Sequence, residues 1–225
     1  NEIFDFTYSN SSIKVPAKVG IEIGKILHTG LFREENEKRK ISFHFTTDEL
    51  NLIKNINKSF LNKTSNEIKK SFNQMNKELN LYSEKIQFTD RELVYIVSLL
   101  NNVKFTGNSN DIFGDALEIF RSYWAKKEGG QFFTNQAVTS LALKLIKFNP
   151  LNGDDLVDIC AGTGGFLLAG FHKIRKIVNK KKGTEKNVAS IARKSLRGIE
   201  IDKDVNKVGN ATLSARLGTK NHEHI

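Results

Sequence analysis

The sequence is poor in cysteine, in proline and in long apolar runs. Its single cysteine, Cys160, excludes an internal disulfide framework and a zinc site built from several cysteines. Only two prolines, Pro16 and Pro150, occur in 225 residues. No apolar run is long enough to span a bilayer and no secretory signal opens the chain, so we expect a soluble, cytoplasmic protein without a membrane partner. Because the chain opens on Asn1 rather than Met, we expect a piece of a longer protein.

Acidic residues are scarce in one segment. The net charge is +10, and residues 173–197 carry +9 of it, with ten Lys and Arg side chains against Glu185 alone. Such a block is the expected footprint of polyanion binding, with Lys180, Lys181 and Lys182 as candidate nucleic-acid contacts. A solvated lysine-rich loop has the same composition, and charge alone does not separate the two interpretations.

The first 108 residues are polar, and their patterns predict helices. Thr46, Thr64 and Thr89 each begin a capping-box sequence, with Glu three residues later, ahead of apolar residues at helical spacing. Three amphipathic helices indicate an N-terminal helical bundle over residues 1–108. A further helix, interrupted by Gly20 and Gly24, is predicted over residues 19–31.

From residue 109 to residue 225 the pattern changes to helices that alternate with short strands. One predicted helix carries Val138, Leu141, Ala142, Leu145 and Ile146. The order helix, strand, helix, strand, helix is the beginning of a doubly wound α/β domain. Two strands cannot support an open sheet alone, so we expect this sheet to be incomplete. The predicted segments are helix 112–124, a helix from residue 136, strand 156–159, a helix after residue 165, loop 180–187, strand 196–201 and a last helix that includes Val205.

The turn after the first predicted strand is rich in glycine, with Gly162, Gly164 and Gly165 in four positions. Parallel strands place ligands at their carboxyl ends, and glycines let the backbone approach a ligand closely. Asp158 ends the first strand and can accept a hydrogen bond. Glu200, at the end of the second, is well placed to accept from both hydroxyls of a ribose. These residues favour a nucleoside ligand.

Three other interpretations of the glycine turn compete with a nucleoside site. A dinucleotide fingerprint matches poorly, because Leu167 stands where its third glycine belongs. A phosphate-binding loop matches poorly as well, because Phe166 follows Gly165 where that motif has lysine. A tight strand-to-helix turn without a ligand is the third.

Three segments, taken together, resemble the N6-adenine DNA methyltransferases, most closely the modification subunit of type I restriction–modification systems. DICAGTGGFL at 158–167 is similar to the family's D-P-x-x-G-T-G-G-F-L. GQFFT at 130–134 resembles its G-Q-F/Y-F/Y-T-P, and GIEID at 198–202 resembles its G-x-E-I-D. The resemblance covers about residues 110–218. Asn135 and Ile159 replace prolines of the family pattern.

The resemblance implies a Rossmann-like methyltransferase domain over residues 109–225 that binds S-adenosylmethionine. In such a domain Phe133 and Thr134 contact the methionine portion, Asp158 lies near the amino group, and Glu200 binds the ribose. DNA is the implied substrate, and a specificity subunit or target-recognition domain is the implied partner, joined in some assemblies by a restriction subunit. The implied cofactor contacts are Gln131, Phe132, Phe133, Thr134, Asp158, Ala161, Gly162, Thr163, Gly164, Gly165, Phe166, Glu200 and Ile201.

The family's catalytic N/D-P-P-Y/F motif is missing from these 225 residues. Asn149-Pro150-Leu151 lacks the second proline and the aromatic residue. We therefore expect no catalytic residue in this chain, no metal site and no methyl transfer by this chain alone. The glycine and ribose motifs also allow an RNA or protein methyltransferase, and the basic segment also allows a non-catalytic fragment that binds nucleic acid or a partner. The pair His222 and His224 is more simply solvated than a metal site.

Overall fold

The computed structural model describes residues 2–11, 13, 16–105, 134 and 136–217. Their regular structure is helical apart from one small parallel sheet, and they form two compact units that divide between Gly129 and Gly130. The boundary predicted between residues 108 and 109 and the helix predicted over residues 112–124 lie outside the described residues.

The first unit is built around the long helix α2. Its residues Ile23, Ile26 and Leu27 are fully buried. The helix is continuous, so the interruption predicted at Gly20 and Gly24 is wrong: burial of the apolar side chains of α2 outweighs the low helix propensity of glycine. Helix α4 packs against α2, and α5 packs against α4 and α1. The described helices of this unit are α1 (Glu2–Asn10), α2 (Pro16–Glu35), α3 (Thr47–Lys54), α4 (Lys58–Leu79) and α5 (Asp90–Leu99).

Two of the three predicted capping boxes are confirmed. The amide of Glu49 donates to the Thr46 hydroxyl, and the amide of Thr46 donates to the Glu49 carboxylate at 2.8 Å. Thr89 and Glu92 repeat this arrangement at the start of α5. Each box satisfies two amides that a helix start would otherwise leave without partners.

The third predicted box, at Thr64, is wrong. Helix α4 already begins at Lys58, where the side chain of Asn57 accepts from the amide of Phe60 at 3.0 Å. The buried face of the helix runs without a break from Leu61 to Met75. Because this face is continuous across the predicted start, packing keeps Thr64 inside the helix.

The second unit contains the two predicted strands, which pair in parallel. Leu156 lies opposite Leu196, and Asp158 lies opposite Gly198. Both strands end earlier than predicted. The described elements are α6 (Gln136–Leu145), β1 (Leu156–Asp158), α7 (Gly165–Lys180), α8 (Glu185–Ser195), β2 (Leu196–Gly198) and α9 (Lys203–Leu217).

Helix α7 is the centre of the second unit's core. Leu167, Phe171 and Ile174 on this helix are fully buried. At Gly170 a Cβ atom would lie 2.9 Å from a methyl group of Leu156 and 2.9 Å from one of Leu196, so the helix lies directly on both strands. This contact holds the start of α7, and the turn before it, at the carboxyl ends of the strands.

Helix α8 was not predicted, and it begins inside the predicted loop 180–187. The Thr184 hydroxyl accepts from the amide of Asn187, and the Asn187 side chain accepts from the amide of Thr184 at 2.8 Å. Val188 and Ala192 are fully buried and α8 packs against α7. The order is therefore helix, strand, two helices, strand and helix.

The helix predicted from residue 136 is confirmed as α6, but most of the apolar residues that indicated it are exposed. Val138, Leu141 and Leu145 are each more than half exposed, whereas Thr139 and Leu143 are buried. Helix α6 packs against α7. Apolar residues occur on almost every side of α6, so its periodicity does not determine which side is buried.

Candidate functional site

The glycine turn lies at the carboxyl end of β1. Gly162 and Gly164 have φ angles of 56° and 83°, which lie in the left-handed region that favours glycine. The amide of Gly164 donates to the carbonyl of Ala161 at 2.8 Å, which closes the turn. Helix α7 starts at the next residue, and Gly164 has no side chain to cap it. The predicted sequence of strand, tight turn and helix start is confirmed.

The ends of the two strands are joined beyond their last paired residues. The amide of Ile199 donates to the carbonyl of Asp158 at 2.8 Å, and the amide of Ala161 donates to the carbonyl of Ile199 at 2.9 Å. These bonds continue the parallel pattern into both loops. They fix the segment after β2 against the glycine turn.

The carboxylate of Glu200 connects the two loops. Its Oε2 accepts from the amide of Gly162 at 2.8 Å, and its Oε1 accepts from the amide of Asp202 at 2.8 Å. A carboxylate has room for about four hydrogen bonds. Glu200 therefore keeps capacity for two more donors on a half-buried side chain. The sequence placed this acid at the right strand end, but its bond to Gly162 has no signal in the sequence.

The other two acids at this edge have different environments. Asp158 is half-buried, and its Oδ1 accepts from the amide of Cys160 at 3.2 Å. The Oδ1 of Asp202 accepts from the amide of Val205 at 3.1 Å, as expected of a residue that caps a helix. Asp202 therefore stabilises the start of α9, whereas Asp158 and Glu200 belong to the turn.

Apolar side chains are exposed around these acids. Ile201, directly after Glu200, is 96 % exposed, and Ile159 and Ile199 are more than half exposed. Ala161 and Thr163, which are predicted cofactor contacts, are buried within the turn. The hydroxyl of Thr163 has no hydrogen-bond partner among the residues that the structure describes.

The structure brings together the predicted site residues at the strand ends. Asp158, Gly162 and Glu200 are joined by the bonds given above, and Gly165 and Phe166 follow at the half-buried first turn of α7. Gln131, Phe132 and Phe133 lie outside the described residues. Thr134 is described and exposed, without regular structure.

The described residues contain neither a cluster of metal ligands nor a helix suited to spanning a membrane. Within them, no group of three or more His, Cys, Asp or Glu side chains is arranged to hold a metal ion. The pair His222 and His224 lies outside this part of the chain. No described helix combines the length and the apolarity that crossing a membrane requires.

The sequence is similar to known DNA methylases. Residues 108–214 match the N-6 DNA Methylase family. The type I restriction enzyme MpnII methylase subunit of Mycoplasma pneumoniae is 27 % identical over 198 residues, which cover 79 % of this chain and 36 % of that protein. The type I restriction enzyme EcoEI methylase subunit of Escherichia coli is 32 % identical over 82 residues, which cover 36 % of this chain and 16 % of that protein.

The chain therefore spans about a third or less of the length of these relatives. The family match begins at residue 108, contains the glycine turn and Glu200, and ends within α9. The matches confirm the resemblance that the three motifs indicated: residues 108–214 are similar to the N-6 DNA methylase family.

Proposed function

We propose that the strand ends of the second unit bind S-adenosylmethionine, in a subunit that methylates the N6 position of adenine in DNA within a restriction–modification system. The observation that carries this proposal is the 2.8 Å hydrogen bond from the amide of Gly162 to Glu200. It joins the glycine turn after β1 to the acid after β2, which are the two elements that a nucleoside ligand requires. The family match supports the ligand class.

The residues present fit such a cofactor. Glu200 has two acceptor positions left after its two backbone bonds, which suits the two hydroxyls of a ribose. Gly162 and Gly164 keep Cβ atoms away from the turn. Ile201 exposes an apolar side chain directly beside Glu200, as the face of a purine requires.

The remaining proposed contacts serve the methionine portion of the cofactor. Asp158 has a carboxylate oxygen besides the one that accepts from Cys160, and this oxygen is the proposed acceptor for the amino group. Phe133 and Thr134 are further proposed contacts of the methionine portion. When bound, S-adenosylmethionine supplies an activated methyl group for direct transfer to an amine. The chain's own contribution is to orient that group and keep water from it.

The activity, substrate and partners of the whole protein are proposed from its relatives, which are named as type I restriction enzyme methylase subunits. We propose double-stranded DNA as the substrate, a specificity subunit as the partner, and a restriction subunit as a further member of the assembly. The five described helices of the first unit belong to the proposed N-terminal helical domain, with the methyltransferase domain starting near residue 109. Because these 225 residues lack N/D-P-P-Y/F, we expect cofactor binding but no methyl transfer from this chain alone.

The test is a calorimetric titration of S-adenosylmethionine into the purified protein and into a Glu200→Ala variant. Asp154→Ala is the matched control, because Asp154 accepts from one exposed backbone amide, that of Asn149, in the same unit. We expect the wild type and the control to bind, and the affinity of Glu200→Ala to fall at least tenfold. Absence of binding by the wild type, or equal affinity in all three proteins, would contradict the proposal.

The substrate is tested separately, with the complete modification subunit and its specificity subunit. Transfer of a labelled methyl group is measured on duplex DNA and on RNA of the same sequence. Methylation of adenine in DNA alone is the expected result. Transfer to RNA alone, or to protein, would replace DNA as the substrate and leave the cofactor site intact.

A further inference from the structure

The positive charge of this chain is concentrated in one helical hairpin. Residues 173–197 contain ten basic residues and one acidic residue, whereas the other 200 residues contain 25 Lys and Arg and 24 Asp and Glu. General lysine richness therefore does not explain the segment. The rest of the chain is nearly neutral although it also contains many lysines.

Two of the ten basic side chains are used inside the fold. Lys173 Nζ donates to the carbonyl of Leu143 at 2.6 Å, and desolvation lowers the pKa of this amine. The guanidinium of Arg175 lies 4.8 Å from the centre of the Phe171 ring. These two residues anchor α7, and they are not available to a partner.

The other eight basic residues are exposed, and they form a surface that we name the cationic hairpin, over residues 176–197. Four of them come from the end of α7 and the turn after it: Lys176, Lys180, Lys181 and Lys182. Four come from α8 and the first residues of β2: Lys186, Arg193, Lys194 and Arg197. Packing of α8 against α7 through Val188 and Ala192 brings the two groups onto one compact element.

The exposed charges are not neutralised within the described part of the chain. Every ion pair found there lies between residues 22 and 90, in the first unit. On α8, Lys186 and Arg193 lie seven residues apart and therefore share one side, and Arg197 follows the helix in β2. Arg197 also donates to the carbonyl of Arg193 at 2.9 Å, which holds its guanidinium along that side.

The density of this charge matches a nucleic-acid backbone. Helix α8 has 11 residues and is about 16 Å long. Duplex DNA carries one negative charge per roughly 1.7 Å of its axis, so about ten phosphate charges lie along that length. Eight flexible cations on one hairpin are suited to this regular array.

We propose that the cationic hairpin binds the phosphate backbone of duplex DNA without reading its sequence. The choice of DNA rests on the function proposed above. The turn with Lys180 to Lys182 lies at the end of α7, a 16-residue helix about 24 Å long that starts at the glycine turn. The hairpin therefore holds DNA at a place separate from the cofactor site, and it adds sequence-independent affinity to whatever a specificity subunit supplies.

The experiment measures binding of the purified protein to a 20-base-pair duplex of arbitrary sequence at several salt concentrations. The test variant replaces Lys180, Lys181 and Lys182 by Gln. The matched control replaces three exposed lysines of α4, Lys63, Lys70 and Lys77, by Gln and removes the same charge from the first unit. Both variants are checked for a wild-type circular dichroism spectrum and melting temperature.

We expect the slope of log K against log salt to become less steep by up to about 2.7 in the hairpin variant, because each lost phosphate contact removes about 0.9. The control should keep the wild-type slope. Equal slopes in all three proteins, an equal change in both variants, or no DNA binding by the wild type at low salt would overturn the proposal. Tighter binding of polyglutamate than of DNA at the same ionic strength would overturn it too, in favour of an acidic protein partner.

A second variant, Lys186→Gln with Arg193→Gln and Lys194→Gln, tests the α8 side of the hairpin if the turn variant does not fold. Calorimetry with S-adenosylmethionine separates this proposal from the cofactor site. Absence of cofactor binding by the wild type, together with a salt slope that differs between wild type and hairpin variant, contradicts the methyltransferase function but not the hairpin. The reverse result contradicts the hairpin alone.

Discussion

Replacement of Glu200 by Gln tests whether the two hydrogen bonds of this side chain hold the glycine turn in place. Both oxygens of Glu200 accept from backbone amides, one from Gly162 and one from Asp202. A glutamine has one acceptor oxygen and one donor nitrogen at these positions. Its oxygen can serve only one of the two amides, so its nitrogen must face the other amide, donor against donor.

The expected magnitude follows from this single lost acceptor. A buried donor left without a partner costs about 1–3 kcal/mol. Because Glu200 is only half-buried, water replaces part of the lost bond, and we expect a loss of about 1 kcal/mol. For a unit of about 100 residues this lowers the melting temperature by roughly 4–8 °C. Locally, it corresponds to about fivefold faster exchange at the amide that loses its partner.

The assay is hydrogen–deuterium exchange followed amide by amide, together with thermal unfolding. Asp154→Asn is the matched control, because Asp154 accepts from a single backbone amide through one oxygen and an asparagine keeps that acceptor. We expect faster exchange at Gly162 or Asp202 in Glu200→Gln and unchanged exchange in the control. Unchanged exchange at both amides in Glu200→Gln would refute the claim that Glu200 fixes the turn.

Three further predictions concern the core, acid stability and the turn. Gly30→Ala should lower the free energy of unfolding by about 1–3 kcal/mol in urea, because its Cβ would lie 2.8 Å from the buried ring of Phe105; an unchanged midpoint would contradict this packing. Lys69 donates to Asp90 and lowers the pKa of its carboxyl group. Ionised Asp90 therefore stabilises the native state above roughly pH 4, and this stabilisation is lost as the pH falls through the native pKa. The melting temperature of Asp90→Asn should therefore be lower than that of the wild type at pH 7, and this difference should disappear in acid. A difference that stays constant with pH would argue against the ion pair. Thr163→Val removes a buried hydroxyl without a partner among the described residues, and it should stabilise the second unit by about 1 kcal/mol in urea; destabilisation would show that the hydroxyl has a partner.

Local sequence signals predicted the backbone of the glycine turn correctly. An apolar run that ends in Asp158, glycines at the left-handed positions 162 and 164, and a helical pattern after Gly165 each determine a short piece of backbone without help from distant residues. The same holds for the capping boxes at Thr46 and Thr89. The bond between Gly162 and Glu200 joins residues 38 positions apart, and only the parallel pairing of the strands brings them together.

The errors occurred where tertiary packing determines the outcome. Helix α8 has a capping box with Asn187 in place of the usual Glu or Gln, and few apolar residues besides Val188 and Ala192. Its isolated pattern is that of a lysine-rich loop, and contact with α7 makes it a helix. Thr64 shows the opposite case: a local start signal has no effect inside a helix whose buried face continues through it.

The arrangement of the second unit makes its two proposed sites separable. The glycine turn lies before the first residue of α7, and the lysine turn follows the last, so the length of α7, about 24 Å, divides them. This separation exceeds the Debye length of about 8 Å at physiological ionic strength, so charge removed at Lys180 to Lys182 is screened from Glu200. A hairpin variant that lost cofactor binding would therefore indicate that α7 itself had moved. Intact cofactor binding with a shallower salt slope would show that the fold presents the nucleoside at one end of this helix and the phosphate backbone at the other.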